Sequence, residues 1–508
     1  MKNFRIFIII SLLLTGSLFC GNSELDSLLQ IINSEHALAG MSVTVVKGDD
    51  IVFSGYYGKR DIGRNLDTDL HTKYRIASIS KTITTMALMK LYDQGVFSLE
   101  DDISDYLGFQ LRHPSYPTQK ITVRQILSHT SSLRDGFGYS PFLSATYYQD
   151  TPPALKQVLQ QGGVYYSSDM FGSKSPYSKY FQYANINFGV IGTMIENLSG
   201  KRFDIYVKEE ILEPLGLTGS FNVNTLPDIN NLATLYRKQG SSWSPQADNY
   251  KGVYPAERDL SGYIIGQNGA IFAPQGGLRI SSNELAVLML TLNNGGEYNG
   301  IRIFSDTTAT VMLTNVWNYN GSNGNNYYGI FNNYALGNHT TTELVPGEVL
   351  TGHPGEAYGL ISDMYFSRVK DYGIIFITNG GSWNYGNYSG WYDIEEEVFS
   401  ACHSQMDNLT STYNKNENEM PERFSLAQNY PNPFNPETSI RVTLGKSEIC
   451  TIKVFDILGK IKSTIHEGYL EAGTHKFNFN ANNLPGGVYF YNYLSASHSV
   501  TRKMILLK

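Results

Sequence analysis

The chain has 508 residues, enough for two or three domains with large cores. A formal net charge of −7 excludes the basic face that nucleic-acid binding needs. Three cysteines (Cys20, Cys402, Cys450) exclude a disulfide framework, and no Cys/His cluster has zinc spacing, so no metal or other cofactor is expected.

In chain order, residues 1–21 carry Lys2 and Arg5, then an apolar stretch from Ile6 to Leu14, then small residues. That pattern is an export signal, too short for a stable membrane span. Cys20 raises the question of a lipid-modified start, but the bulky Phe19 before it fits that processing poorly. From Ser23 an amphipathic helix (Leu25, Leu28, Leu29, Ile32) leads into Met41–Val46 and Ile51–Phe53, which read as a hairpin about Lys47-Gly-Asp-Asp50.

The next stretch is Arg75-Ile-Ala-Ser78-Ile-Ser-Lys81-Thr82, continuing through Ile83, Met86, Ala87, Leu88, Met89 and Leu91 to Gly95. Helical spacing from Ser78 stacks Ser78 and Lys81 on one face, with free backbone N–H groups at the helix start to hold an oxyanion. The apolar residues lie nearly all round, as in a buried helix, and Gly95 is its natural stop. Ser-x-x-Lys is nonetheless cheap: chance supplies it roughly twice in a chain of this size. Ser367-Arg-Val-Lys370 repeats it in a polar turn.

Downstream, Ile121–His129 reads as a helix and its end. Phe181-Gln-Tyr183-Ala-Asn185 precedes a helix marked by Phe188, Ile191, Ile195 and Leu198. Ser281–Asn293 is helical, with Leu285, Leu288, Met289 and Leu292 on one face. Gly352-His353-Pro-Gly355 opens a strand-like run, followed by runs at Ala357–Phe366 and Tyr372–Thr378. A sheet divided between the two ends of a segment with helices between describes a two-lobed α/β (α+β) domain. Residues 405–420 are rich in Asn, Glu and Ser/Thr, a linker. Residues 421–508 change texture: 10 Lys+Arg against 6 Asp+Glu, with short alternating runs at Thr451–Asp456, His475–Phe479, Val488–Tyr493 and Val500–Leu507. That is a small all-β sandwich. The expected division is signal 1–21, two-lobed α/β domain 22–404, linker 405–420 and sandwich 421–508.

Taken together, Ser78-x-x-Lys81, Tyr183-x-Asn185 and His353-x-Gly355 resemble the serine β-lactamase and penicillin-binding superfamily, a β-lactamase-like or transpeptidase-like fold, over about residues 25–400. Flanking phrases, Ile121–Leu133, Leu212–Leu217 and Pro274–Leu278, look like its class C branch. The resemblance implies roles. Ser78 attacks a carbonyl to form an acyl-enzyme, with a desolvated Lys81 as base. Tyr183 carries the second proton. Asn185 orients Lys81 and the substrate amide. Backbone N–H groups of Ser78 and Glu356 form the oxyanion hole. His129 sits in a helix-end phrase that the family uses structurally.

His353 stands where a β-lactamase usually has lysine, a fixed charge for the substrate carboxylate. Relatives with histidine there include D-peptide hydrolases, D,D-carboxypeptidases and esterases, so a D-amino-acid peptide or an ester is the expected substrate. The alternatives are a true class C-like β-lactamase, or a catalytically silent surface protein that binds peptidoglycan or a partner. Three Tyr-, Asn- and Gly-rich stretches, Trp317–Asn338, Gly162–Ser178 and Gly381–Trp391, are expected at the cleft rim.

The end of the chain is a second resemblance. Phe424–Pro436 with its Asn-Pro-Phe-Asn-Pro, Val454–Gly459, Gly486–Phe490 and Lys503–Lys508 are similar to the C-terminal sorting domain of the type IX secretion system. This implies passage through the periplasm, the secretion machinery as partner, and a secreted or cell-surface destination.

Overall fold

A computed structural model describes residues 23–409, 425–426, 429, 432–444, 447–457, 459–471, 473–495 and 498–507. The expected export signal and most of the expected linker lie outside the described residues. The chain divides into two compact units, residues 1–412 and 413–508. Met406 and Leu409 are buried, and Lys47 Nζ donates to the Met406 carbonyl at 2.9 Å, so the opening of the expected linker packs with the first unit.

The first unit is built on an antiparallel sheet of seven strands among the described residues. They are β1 (Gly40–Lys47), β2 (Asp50–Asp61), β3 (Leu66–Asp67), β4 (His339–Thr341), β5 (Leu350–Ala357), β6 (Leu360–Ser367) and β7 (Tyr372–Thr378), in the order β4-β5-β6-β7-β1-β2-β3. The seam between the chain's early and late strands is β1 on β7, from Met41↔Thr378 to Lys47↔Tyr372. One face of the sheet carries α1 (Ser23–Glu35) and a late helix, Asp393–Ser404. Leu25, Leu29 and Ile32 meet Val398 and Phe399 there, over Met41, Val43, Val45, Ile374 and Phe376. The other face packs on the helical core, with Ile375, Ile377, Met364 and Phe366 against it. Strands covered on both faces have little room for polar residues, which is why β7 reads as a near-continuous apolar run.

One sequence expectation shifts. The run Ala357–Phe366 is not a single strand: Tyr358 (φ +57°) and Gly359 (φ +87°) make a two-residue hairpin turn between β5 and β6. His353 and Gly355 therefore sit inside β5 rather than at a strand's start.

The helix that follows Ser78, α2 (Ser80–Asp93), is the core of the helical lobe, with every residue from Ser80 to Met89 buried. Its buried hydroxyls tie neighbouring segments to it. Thr82 Oγ1 donates to the Gly337 carbonyl and Thr84 Oγ1 to the Pro274 carbonyl, each at 2.8 Å, and Ser80 Oγ accepts from Leu278 N at 3.1 Å. Beside it lies α3 (Ile186–Ser199), while against β1, β6 and β7 packs α4 (Ser282–Asn293). The latter is opened by a capping box between Ser281 and Glu284. Gly95, at φ +73°, ends the α2 segment as its sequence position implies.

The second unit has two small antiparallel sheets. One pairs Ser425–Leu426, Glu437–Leu444 and Gly473–Asn480; the other orders Ile461–Leu470, Glu448–Asp456, Gly487–Ser495 and Ser499–Leu506. Alternating residues (Cys450, Ile452, Val454; Tyr489, Tyr491, Tyr493) are buried with Ile440 and Val442 between the sheets. Beyond the two-residue Ser425–Leu426, two longer strands of this sandwich, Glu437–Leu444 and Ile461–Leu470, are missing from the expected runs. Their apolar residues are diluted by Arg441, Lys462 and His466. Among the described residues of the whole chain, no helix is long and apolar enough to cross a membrane.

Candidate active site

The turn that bears Ser78 is a single 3₁₀ turn, Ala77–Ile79, leading into α2, so the α-helix starts two residues later than the spacing alone suggests. The turn is held from three sides. Ile76 N donates to the Leu278 carbonyl at 3.0 Å, Ser362 Oγ donates to the Ile76 carbonyl at 3.0 Å, and Tyr74–Arg75 pairs with Arg279–Ile280 just before it. This support keeps Ala77 at φ +46°, a left-handed conformation that costs an alanine roughly 1–2 kcal/mol. Strain of this kind persists where surrounding structure over-determines it.

Lys81 is fully buried, and its Nζ has three neighbours: Ser78 Oγ at 2.9 Å, Asn185 Oδ1 at 2.8 Å and the Gln275 carbonyl at 2.8 Å. Desolvation pulls its pKa from 10.5 down to about 7, and the negative charge of Asp135 opposes that fall. A neutral amine has two N–H groups and one lone pair. The Asn185 and Gln275 oxygens can only accept, so they take both N–H groups. The lone pair then faces the Ser78 hydroxyl, the direction a general base needs.

Tyr183 lies across the same space, its ring 4.9 Å from Lys81 Nζ. It is stacked between His129 (4.3 Å between ring centres) and Phe331 (5.3 Å). Desolvation raises its phenol pKa well above the ordinary value, partly offset by its interaction with the Ser78 side chain, so it is a protonated donor at neutral pH. His129 accepts at Nδ1 from Ala184 N (3.1 Å) and Asn187 Nδ2 (3.0 Å), which assigns its proton to the other nitrogen. Burial lowers its pKa far below the usual range. Its place is behind Tyr183, not on Ser78.

His353 is buried in β5. Its Nδ1 lies 2.6 Å from the Pro354 carbonyl, which can only accept, so Nδ1 carries the proton and Nε2 accepts from Tyr334 Oη at 3.0 Å. Desolvation, then the Lys81 charge, drives its pKa well below the usual value, and the ring is a neutral wall. Gly355 brings β5 close against the turn that bears Ser78. A side chain there would meet Ser362 Oγ at 2.4 Å, the Ile76 carbonyl at 2.6 Å and Ser78 N at 3.2 Å. The Glu356 carboxylate faces the Tyr392 hydroxyl at 3.4 Å.

Ser78, Tyr183, Asn185, His353, Gly355 and Glu356 all line one cavity of about 710 Å³, with Lys81 beneath it. Its rim includes Tyr327, Tyr328 and Phe331 from the Trp317–Asn338 stretch and Tyr385 and Trp391 from Gly381–Trp391. The third stretch, Gly162–Ser178, does not reach this cavity; Gly172–Lys174 line a separate space beside Arg134. A larger cavity of about 750 Å³ shares Arg75 and Tyr358 with the first but is lined by none of Ser78, Lys81 and Tyr183. The duplicate motif is inert: Lys370 N bonds Ser367 Oγ at 3.2 Å, and Lys370 Nζ is spent on Glu348.

Two contributors were not foreseen. The Gln275 carbonyl on Lys81 belongs to the phrase Pro274–Leu278, but a backbone oxygen leaves no residue-type signal. Asp135, which bonds Asn185, lies in a loop six residues past His129 with nothing in its spacing to mark it.

A family model described as beta-lactamase matches residues 25–398. The chain belongs to the beta-lactamase family. A second model, the secretion system C-terminal sorting domain, matches residues 428–507, which carries the implication of export to the surface or beyond. Among curated relatives, the D-alanyl-D-alanine-carboxypeptidase/endopeptidase AmpH of Escherichia coli is 30% identical over 178 residues, 35% of this chain and 44% of that protein. Protein flp of Staphylococcus aureus is 25% identical over 219 residues, 43% of this chain and 42% of that one. The chain thus spans less than half the length of these relatives. Similar solved structures share the fold at low identity. A penicillin-binding protein homologue from Pyrococcus abyssi has a TM-score of 0.57 at 19% identity, covering 95% of this chain and 96% of that one. The D-amino acid amidase of Ochrobactrum anthropi has a TM-score of 0.54 at 19% identity, covering 75% and 100%.

Proposed function

We propose that this chain is an exported serine hydrolase that cleaves a small amide or ester, of the D-amino-acid peptide, D,D-carboxypeptidase or esterase kind, through a Ser78 acyl-enzyme. The observation that carries the reading is the Lys81 amine, desolvated, with both N–H groups committed to carbonyl oxygens and its lone pair toward Ser78. In the forward step Lys81 takes the Ser78 proton as Oγ bonds the substrate carbonyl carbon. The oxyanion settles against backbone N–H groups at the Ser78 turn and Glu356; one such donor is typically worth about 2.7–4 kcal/mol. Tyr183, protonated and beside Ser78, delivers a proton to the leaving amine or alcohol. In the return step Tyr183 takes one from water as the acyl bond is hydrolysed, and Lys81 gives its proton back to the departing Ser78 Oγ.

The neutral His353 favours this reading over a true β-lactamase. With both ring nitrogens engaged and its pKa pushed down, it offers no fixed cation to a substrate carboxylate. Ser78 and Tyr183 lining one cavity, with the Lys81 amine 2.9 Å from Ser78 Oγ beneath it, argue against a silent binding protein. Export is read as passage through the periplasm to the type IX machinery, which the sorting domain would engage.

The test is intact mass after exposure to a fluorophosphonate and to a fluorescent penicillin, on the wild type and Ser78→Ala. Hydrolysis of nitrocefin, a p-nitrophenyl ester and a D-Ala-D-Ala peptide is followed alongside. Expected are fluorophosphonate adducts on the wild type alone, and turnover of the ester or peptide well above nitrocefin. No adduct from either probe would favour the binding protein, and fast nitrocefin turnover the β-lactamase.

A further inference from the structure

Asp135 is exposed, yet its carboxylate is fully engaged at the mouth of α3. One oxygen accepts from Asn185 N at 2.8 Å and from Asn185 Nδ2 at 2.9 Å; the other accepts from Ile186 N at 2.9 Å. A carboxylate at a helix start is by itself a cap. The contact to Nδ2 does something a cap does not. An amide side chain has one accepting end and one donating end, and a carboxylate can only accept. With Nδ2 held on Asp135, the Asn185 oxygen must face Lys81 Nζ, 2.8 Å away. A flipped Asn185 would put N–H groups against the amine, and its lone pair would turn from Ser78 to meet them.

We infer that Asp135 is a positioning residue, which fixes the amide sense of Asn185 and so turns the Lys81 lone pair onto Ser78. The inference rests on the serine-hydrolase reading above and adds to it a residue remote from the reacting atoms. A second consequence is electrostatic. The groups facing Lys81 are Ser78 and Tyr183 across the cavity, His129 behind Tyr183, His353 from β5 and Asp135 from its loop. Both histidines are neutral and Tyr183 protonated near pH 7, so the charge that bears on Lys81 is that of Asp135, which raises its pKa against desolvation. Because Asp135 faces solvent, salt should weaken this influence.

The experiment follows the rate of Ser78 modification by a fluorophosphonate from pH 5 to 9 in the full chain. It compares wild type, Asp135→Ala, Asp135→Asn, Asn185→Ala and the Asp135→Ala/Asn185→Ala double variant. Asp135→Ala is expected to lower the high-pH plateau about tenfold or more and to move the acid-side midpoint to lower pH, less so in 0.5 M salt. Asp135→Asn keeps the shape and one accepting oxygen but no charge, so it should shift the midpoint while keeping most of the plateau. On the Asn185→Ala background, Asp135→Ala should cost no further plateau rate. A purely structural cap would lower the melting temperature without moving the midpoint. Midpoints unchanged in both Asp135 variants, or a plateau loss that persists in full on the Asn185→Ala background, would overturn the inference. Failure of the wild type to be modified at Ser78 would instead overturn the serine-hydrolase reading itself.

Discussion

At the residue scale the account turns on how much the fold spends on one amine. The displacement of Lys81 from 10.5 to about 7 corresponds to roughly 5 kcal/mol against the ammonium form. The sign follows from linkage: the unfolded chain binds this proton more tightly, so wild-type stability rises as pH climbs from about 7 toward 10.5. Lys81→Met removes that titration. Urea midpoints should therefore show the wild type gaining on the variant between pH 7 and pH 10, and a difference that stays constant would contradict the desolvated lysine. The same variant should lose Ser78 acylation by at least about a thousandfold, since single members of such units typically cost that much or more. Tyr183→Phe is expected to act differently. The adduct should still form, while turnover of an ester falls roughly 10²–10⁴-fold, the usual worth of a general acid–base. Equal losses in both steps would move Tyr183 out of the second proton transfer.

At the scale of elements, the site depends on β5 lying against the Ala77–Ile79 turn with no side chain between them. Gly355→Ala would place a methyl 2.6 Å from the Ile76 carbonyl, a backbone atom that cannot step aside. It should cost about 1–3 kcal/mol in the urea midpoint and slow acylation by pushing β5 off the turn; a neutral outcome would mean this contact is softer than drawn. The same contact shows what was legible in the sequence. Ser78, Lys81, Tyr183 and His353 could be singled out because their three motifs occur together in one order, β7 because its run is nearly all apolar, and α4 because its periodicity is strong. The break at Tyr358-Gly359 was hidden by apolar residues on both sides, and the 3₁₀ turn before α2 by a helical pattern that carries through it. The Gln275 carbonyl and Asp135 could not be found, since a backbone oxygen has no residue type and a loop aspartate has many uses.

On the scale of the whole molecule, two cores of different make stand in one chain. The first joins helices to both faces of a sheet. The second closes two small sheets over tyrosines and short apolar residues. Each has its own buried cluster, so a chain ending at Thr412 should keep its ester or peptide kcat/KM within about twofold and lose only export; compact units of this size ordinarily fold alone. A truncated chain that cannot be purified folded, or that loses activity, would show that the second unit supports the first.

The most direct test of the central claim is the pH dependence of the wild-type rate of Ser78 acylation by a neutral fluorophosphonate. If the Lys81 amine is the base, the rate should fall as pH drops through a single midpoint near 7 and level off above about pH 8.5. A rate flat from pH 5 to 9, or one still climbing toward pH 10, would contradict it.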